Sequence, residues 1–290
     1  MEGEERILQL LRLLGQGEAE KLPNFAEVRA ARWRRRGLGG RLEPLQRLDL
    51  PRLDSLLGID EAKATLVANT RQFVARLPAN DALLWGGRGT GKSSLVKALL
   101  GAYADAGLRL VEIDSQAILD LPEILAAIAR ADPEECYRFV LFCDDLSFGS
   151  DDPAYRSLKS LLDGGVEARP ANVLLYATSN RRHLLPRHFS DNEEYHRHGE
   201  EIIAGETAEE KISLSERFGL WLGFYAFDQA QYLDIVAGHL QLLGNDDGRD
   251  AWQAEALRWA LQRGSRSGRV AQHFARHWVG SRGLAPGGTT

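Results

Sequence analysis

At 290 residues the chain is long enough for one large domain or two small ones, and its hydrophobic content of 44% and charged content of 27% are those of a globular protein. Its net charge of −5 excludes a uniformly basic protein that coats duplex DNA, so any contact with nucleic acid must be local. The chain has only two cysteines, which argues against a disulfide framework, and an acidic start, which argues against a signal peptide. It lacks any apolar run of about 18 residues, which argues against a membrane span. We therefore expect a cytoplasmic protein without a membrane partner.

The first 53 residues contain an amphipathic segment and a basic segment. Residues 5–14 place five apolar side chains at helical spacing, which predicts a helix that packs on the protein or on a partner. Residues 29–41 hold six arginines around Trp33. Such a run is typical of a solvent-exposed helix face, with contact to nucleic acid or an acidic partner as the alternative. We expect residues 1–53 to form a helical, arginine-rich extension.

Residues 54–227 alternate between apolar strand patterns and helical patterns. Apolar strands separated by helices predict an α/β fold in which helices cover both faces of a parallel, five-stranded sheet. The predicted strands are Ala82–Trp85, Leu108–Ile113, Phe139–Cys143, Asn172–Thr178 and Gly219–Phe227, and the predicted helices lie at 60–76, 92–106, 121–131 and 153–163.

The strand patterns stop at residue 228. Helical patterns follow at about 228–243, 250–263 and 268–279, separated by glycine-rich breaks. The sequence therefore predicts a small, all-helical C-terminal subdomain over residues 228–290.

The segment Gly86–Ser93 is a phosphate-binding loop between a predicted strand and a predicted helix. Its glycines let the backbone N–H groups curl around phosphate, Lys92 reaches the β and γ phosphates, and the Ser93 hydroxyl can ligate Mg²⁺. The alternative is a glycine-rich turn capped by a lysine. We expect ATP to be held by Gly86, Gly87, Arg88, Gly89, Thr90, Gly91, Lys92, Ser93 and Ser94.

Polar residues follow two further predicted strands. Asp144 and Asp145 end one of them and Asn180 ends the next, so all three should lie at the sheet edge that holds the phosphate loop. Asp144 would hold Mg²⁺, together with Ser93, and Asp145 would polarise the attacking water. A pair of capping or turn aspartates is the alternative, and asparagine is also a common turn former.

The order of these elements resembles that of the AAA+ ATPases over roughly residues 54–280. In that resemblance Gly86–Ser93 is the Walker A element, Val140–Asp145 is Walker B and Asn180 is sensor 1, a residue that orients the lytic water. The segment Leu53–Asp60 looks like the one that packs on adenine. The fold implied is an AAA+ core with a C-terminal helical lid.

The resemblance also implies roles for two arginines that would otherwise be surface residues. Arg217 matches the arginine finger, which reaches the active site of a neighbouring subunit, and Arg269 matches sensor 2 on the lid, with Arg266 as the fallback. A homo-oligomer is therefore expected. The motifs look most like those of the initiator and helicase-loader branch, and closer still like a bacterial AAA+-like family of unknown function.

One residue departs from the pattern of many AAA+ ATPases, which carry glutamate after the Walker B aspartate. Asp145 is one methylene shorter, so its carboxylate sits about 1.5 Å further back. General-base placement is sensitive to such distances, and we expect slow hydrolysis.

The segment 181–212 is rich in arginine, histidine and glutamate. Its spacing lacks a tetrahedral Cys/His pattern, so a metal site is disfavoured. We expect a surface loop that contacts a partner or the next subunit.

Three functions are compatible with these residues. The leading one is an oligomeric ATPase that remodels or loads a protein or nucleic-acid partner. A nucleotide-dependent scaffold that barely hydrolyses ATP is the second, and it is kept open by Asp145 and the basic segment 29–41. A small-molecule kinase is the third, and it would have no use for a lid sensor and an arginine finger.

Overall fold

The computed structural model describes residues 22–36, 39–148, 152–163, 169–181, 184, 196–198, 201–203 and 217–283. The helix expected at 5–14 and most of the segment 181–212 lie outside these residues. Within them the strands are β1 (Ala30–Arg36), β2 (Gly39–Pro44), β3 (Ala82–Gly86), β4 (Leu108–Ile113), β5 (Arg138–Cys143), β6 (Val173–Ser179), β7 (His196–His198), β8 (Glu201–Ile203) and β9 (Leu220–Phe224). The α-helices are α1 (Asp60–Val74), α2 (Lys92–Tyr103), α3 (Leu121–Ala131), α4 (Pro153–Asp163), α5 (Gln229–Leu242), α6 (Arg249–Gln262) and α7 (Gly268–Gly283).

The central sheet has the strand order β2-β1-β4-β5-β6-β3-β9, and all neighbours are parallel except the antiparallel pair β1–β2. The predicted α/β fold is confirmed, and the five predicted strands are the parallel strands β3, β4, β5, β6 and β9. The sheet has seven strands rather than five because β1 and β2 extend it beyond β4. Strands β7 and β8 form a separate antiparallel pair.

The basic segment is extended, so the expectation of a helix face is wrong for residues 30–36. In this strand Ala30 enters one core and Ala31 and Trp33 enter the other, and Trp33 is 3% exposed. The arginines at 34, 35 and 36 are exposed. All six arginines of 29–41 lie within 4.0 Å of a carboxylate. The Arg35 guanidinium hydrogen-bonds Asp120 and holds the pKa of that carboxyl below its ordinary value. This pairing favours a structural role for the segment.

Two hydrophobic cores lie on opposite faces of the sheet. Leu83 and Leu84 are adjacent on β3 and fully buried, yet they enter different cores because successive strand side chains alternate. One core is covered by α1 and α2, and the other by α3 and α4. Cys143 lies in the second core, where burial raises the pKa of its thiol to about 12. It is therefore a core residue, as its apolar surroundings in the sequence indicate.

Helices α5, α6 and α7 form the C-terminal helical subdomain. Helix α5 begins with a capping box, in which Asp228 accepts a hydrogen bond from the backbone of Gln231 and the Gln231 side chain accepts one in return. Tyr232, Trp252 and Phe274, one from each helix, pack together with the core that contains α1 and α2. The division of the chain into domains at residues 53 and 227 stays a prediction.

No helix within the described residues is both long and apolar enough to cross a bilayer.

Candidate functional site

The loop that follows β3 is shaped by the close approach of two neighbouring strands. Gly86 ends β3 with φ of 140°, and a Cβ placed there would lie 1.9 Å from the carbonyl oxygen of Phe224 on β9. Only glycine fits at this position. The chain then turns back and enters α2 at Lys92, as predicted for a strand–loop–helix phosphate site.

Lys92 lies inside this loop and is 6% exposed. Its Nζ donates hydrogen bonds to the carbonyl oxygens of Gly86 (2.8 Å) and Gly87 (2.7 Å), and to Oδ1 of Asn180 (3.3 Å). Burial lowers the pKa of Lys92, while the carboxylates of Asp144 and Asp145 act in the opposite direction. The ammonium group of Lys92 therefore lies beside the polar residues that follow β5 and β6.

Asp144 follows β5 and is fixed by two hydroxyl groups. Its Oδ1 accepts a hydrogen bond of 2.6 Å from Ser93 Oγ and one of 2.5 Å from Thr178 Oγ1. Ser93 lies on α2 and Thr178 on β6, so the carboxylate joins three elements of the fold. The expected neighbourhood of Ser93 and Asp144 is present.

Asp145 adopts a left-handed backbone conformation with φ of 56°. This conformation is uncommon for a residue with a side chain, and aspartate tolerates it better than most. Its N–H donates a 2.9 Å hydrogen bond to Thr178 Oγ1, and its Oδ1 accepts one from Asn180 Nδ2. Asn180 therefore contacts both Lys92 and Asp145.

Thr178 is a residue of the site that the sequence motifs do not predict. It is 1% exposed and its single hydroxyl group bonds both the carboxylate of Asp144 and the amide of Asp145. A signal was available, because Thr178 and Ser179 are polar residues at the end of an otherwise apolar strand. A buried hydroxyl group in such a place needs a partner.

A cleft of about 530 Å³ connects these residues to the helical subdomain. Its lining includes Lys92 and Asp144 together with apolar residues. Among the apolar ones are Leu56 and Ile59, which come from the segment expected to pack on adenine. Its remaining lining residues include Phe227, Ile235 and His239, and burial lowers the pKa of His239, with a further contribution from Arg276.

The N-terminus of α7 contacts the phosphate loop and contributes to the lining of the cleft. The N–H of Gly268 donates a 2.9 Å hydrogen bond to the carbonyl oxygen of Gly89 in the phosphate loop. Gly89 has φ of 75°, and a Cβ there would lie 2.9 Å from Ser267 Oγ. Arg269, one residue after this contact, lines the cleft, whereas Arg266 is not among the described residues that line it.

Arg217 is placed at the other edge of the sheet. It precedes β9 by three residues, and β9 runs parallel to β3 with Leu220 opposite Ala82. The phosphate loop follows the carboxyl end of β3, so a strand of five residues, about 15 Å, separates the two edges. Arg217 is not among the described residues that line the cleft.

No cluster of three or more His, Cys, Asp or Glu in the described part of the chain could hold a metal ion by itself. The cleft offers the Ser93 hydroxyl and the Asp144 carboxylate side by side. Mg²⁺ is commonly bound by one or two carboxylates together with the phosphates of a substrate, so this donor set fits Mg²⁺ delivered with a nucleotide.

The strand order β4-β5-β6-β3-β9, the phosphate loop after β3 and the C-terminal helices define the fold of the AAA+ ATPases. Within this class the chain belongs to the family described as "Protein of unknown function (DUF815)", which matches residues 26–282. A comparison with curated proteins finds no match.

Solved structures with this fold include point mutants of RuvB from Thermotoga maritima. One has a TM-score of 0.53 and 14% identity over 81% of this chain and 67% of that chain. Two others have TM-scores of 0.51, with 17% identity over 79% of this chain and 16% over 78%. The chain spans 65% and 63% of the length of those two. At such identities the likeness shows the fold alone.

Proposed function

We propose that this chain is a Mg²⁺-dependent ATPase that assembles into a homo-oligomer and uses ATP hydrolysis to remodel or load a macromolecular partner. The observation that carries the proposal is the meeting of Lys92, Ser93, Asp144, Asp145 and Asn180, from three separate segments, in one cleft.

The phosphate loop and Lys92 would hold the phosphates of ATP. Burial of the ammonium group disfavours its charge, and a bound polyphosphate would restore it. Lys92 now bonds two carbonyl oxygens of its own loop, and these bonds would be exchanged for phosphate oxygens. The apolar lining residues of the cleft, which include Leu56 and Ile59, would accept the base.

Ser93 and Asp144 would hold Mg²⁺, which supplies charge neutralisation on the phosphates when it is bound. Asp145 would accept a proton from the attacking water, and Asn180 would orient that water. Asn180 hydrogen-bonds Asp145 directly, so the two side chains are close enough to act on one molecule.

Arg269 would contact the γ-phosphate from the lid of the same subunit. Because α7 touches the phosphate loop through Gly268 and Gly89, a change at the phosphates could alter the lid angle. Arg217 lies about one strand length from the cleft of its own chain, which is compatible with a role in the site of a neighbouring subunit.

A scaffold that binds ATP but barely hydrolyses it is the second candidate, because Asp145 is shorter than the glutamate common in this class. The Asp145–Asn180 hydrogen bond supports a hydrolytic role despite the shorter side chain. Single-turnover cleavage of ATP in the assembled state separates the two. Release of phosphate without an acceptor separates hydrolysis from kinase activity.

The test of the proposal is a comparison of two variants. Lys92→Ala should weaken ATP binding at least about tenfold, since a charge-assisted phosphate contact is lost. Asp145→Asn should bind ATP normally and release no phosphate. Lys159→Ala on α4 and Asp105→Asn, at an exposed position two residues after α2, are matched controls outside the cleft. Unchanged binding and hydrolysis in both cleft variants would refute the proposal.

A further inference from the structure

The charge of the helical subdomain is strongly asymmetric. Residues 256–277, which we call the basic tip, include five arginines, two histidines and no aspartate or glutamate, in a chain whose net charge is −5. The basic tip contains the second half of α6, the connecting loop and the first part of α7. The exposed side chains of Arg258, Arg266 and Arg276 belong to it.

Three flat side chains of the basic tip are stacked. The rings of Trp259 on α6 and His277 on α7 lie 4.8 Å apart with an angle of 23° between their planes. The guanidinium carbon of Arg263 lies 3.4 Å from the centre of the Trp259 ring. Arg263 and His277 are exposed, so two members of this column of planar groups are open to solvent.

A groove of about 200 Å³ runs between α6 and α7 beside this column, and it is lined by Arg258, Trp259, Gln262 and His277 among others. The Nε1 atom of Trp259 is buried and has no hydrogen-bond acceptor within the described residues. A buried donor without an acceptor is costly.

Among the described residues, acidic groups contact the groove at one end. Glu255 pairs with Arg258 at 2.7 Å, and Asp247 pairs with Arg282 at 2.8 Å. These contacts leave the opposite end, around Arg263 and the loop after α6, with positive charge alone among the described side chains of the basic tip. The ligand that fits this end is an anion.

We propose that the basic tip binds single-stranded nucleic acid. Unpaired bases stack on the exposed planes of His277 and Arg263, and the phosphates contact the surrounding arginines. A duplex conceals its base faces and an acidic peptide has none, so neither would use the stacked column. The inference goes beyond the proposed ATPase function, since binding at the basic tip requires neither nucleotide nor hydrolysis.

The test is fluorescence anisotropy of a labelled oligothymidine of about 20 nucleotides, at low salt and without ATP. The double variant Arg263→Ala/His277→Ala should bind at least about tenfold more weakly, because stacking on such groups is worth about that factor per base. Arg249→Ala, which removes one charge from the other end of α6 where Arg249 pairs with Asp234, should change affinity less than about twofold. Lys92→Ala should bind the oligonucleotide like the unmodified chain, which separates this inference from the ATPase proposal.

Thermal unfolding checks that the double variant is folded. If it is not, Arg266→Ala/Arg276→Ala, which changes exposed side chains, should weaken binding and reduce its salt dependence by about two phosphate contacts. The inference is overturned if the unmodified chain does not bind the oligonucleotide, if the control loses as much affinity as the folded variants, or if a duplex or polyglutamate competes as well as the single strand.

Discussion

Thr178 and Asp144 are joined by a 2.5 Å hydrogen bond between the threonine hydroxyl and Oδ1 of the carboxylate. The same hydroxyl accepts a 2.9 Å bond from the backbone N–H of Asp145. One buried group on β6 therefore fixes the side chain of one aspartate and the backbone of the next. In the proposed ATPase this couples the group that holds the metal to the group that acts on water.

Thr178→Val should lower the rate of ATP hydrolysis about 100-fold and leave ATP binding within about twofold. Valine has nearly the same shape but leaves the Asp145 amide without its acceptor, and small displacements of catalytic groups have effects of this size. Single-turnover phosphate release and a titration with Mg²⁺ measure the rate and the metal requirement separately. Thr178→Ser should restore both, and a valine variant with the unmodified rate would contradict the assignment.

Gly89→Ala should loosen the contact between the phosphate loop and α7. Alanine at φ of 75° is strained by roughly 1–2 kcal/mol, and its Cβ would lie 2.9 Å from Ser267 Oγ. We expect a lower thermal midpoint and faster amide exchange at Gly268, whose N–H bonds Gly89. Gly280→Ala, with open space around it on the same helix, should be neutral or stabilising. Equal effects of the two substitutions would show that the contact does not hold the lid.

Arg217→Ala should abolish hydrolysis while ATP binding remains, since such residues contribute up to about 10⁵ in rate in other nucleotide hydrolases. Mixing this variant with Lys92→Ala should restore part of the activity, because an intact finger of one subunit would then face an intact phosphate loop of another. Arg156→Ala on α4 is the charge control. A mixture that stays inactive while both variants still assemble argues that Arg217 does not act between subunits.

His239 should make the stability of the protein depend on pH. Burial lowers its pKa in the folded state below the unfolded value of about 6.5, so the folded chain binds fewer protons there. The contribution of His239 to the free energy of unfolding is fully present above about pH 6.5. It is lost as pH falls from there towards the pKa of His239 in the folded state. The urea midpoint at about pH 7.5 and about pH 5.5 measures it. His239→Gln should reduce the difference.

The sequence was sufficient to predict the five parallel strands, since each is an apolar run bounded by a helical pattern. It also indicated that Ser93 and Asp144 are neighbours, because both follow carboxyl ends of parallel strands. It failed at β1, because four of its seven residues are arginines and few of its side chains point inward. The polar end of β6 marks Thr178 as unusual in the sequence, but its bonds to both Asp144 and Asp145 follow only from the register of β6 against β5.

Strands β1 and β2 also affect where the chain can be truncated. Ala31 pairs with Val111, so β1 occupies the hydrogen-bonding edge of β4, and Leu42 on β2 is 2% exposed. The resemblance to an ATPase core begins at residue 54. A fragment that starts there would leave that edge unpaired. Open edges of this kind template strand addition by other chains. Such a fragment would retain every residue that is proposed to bind nucleotide. It would still precipitate or form fibres by edge-to-edge association, so its inactivity would say nothing about the active site.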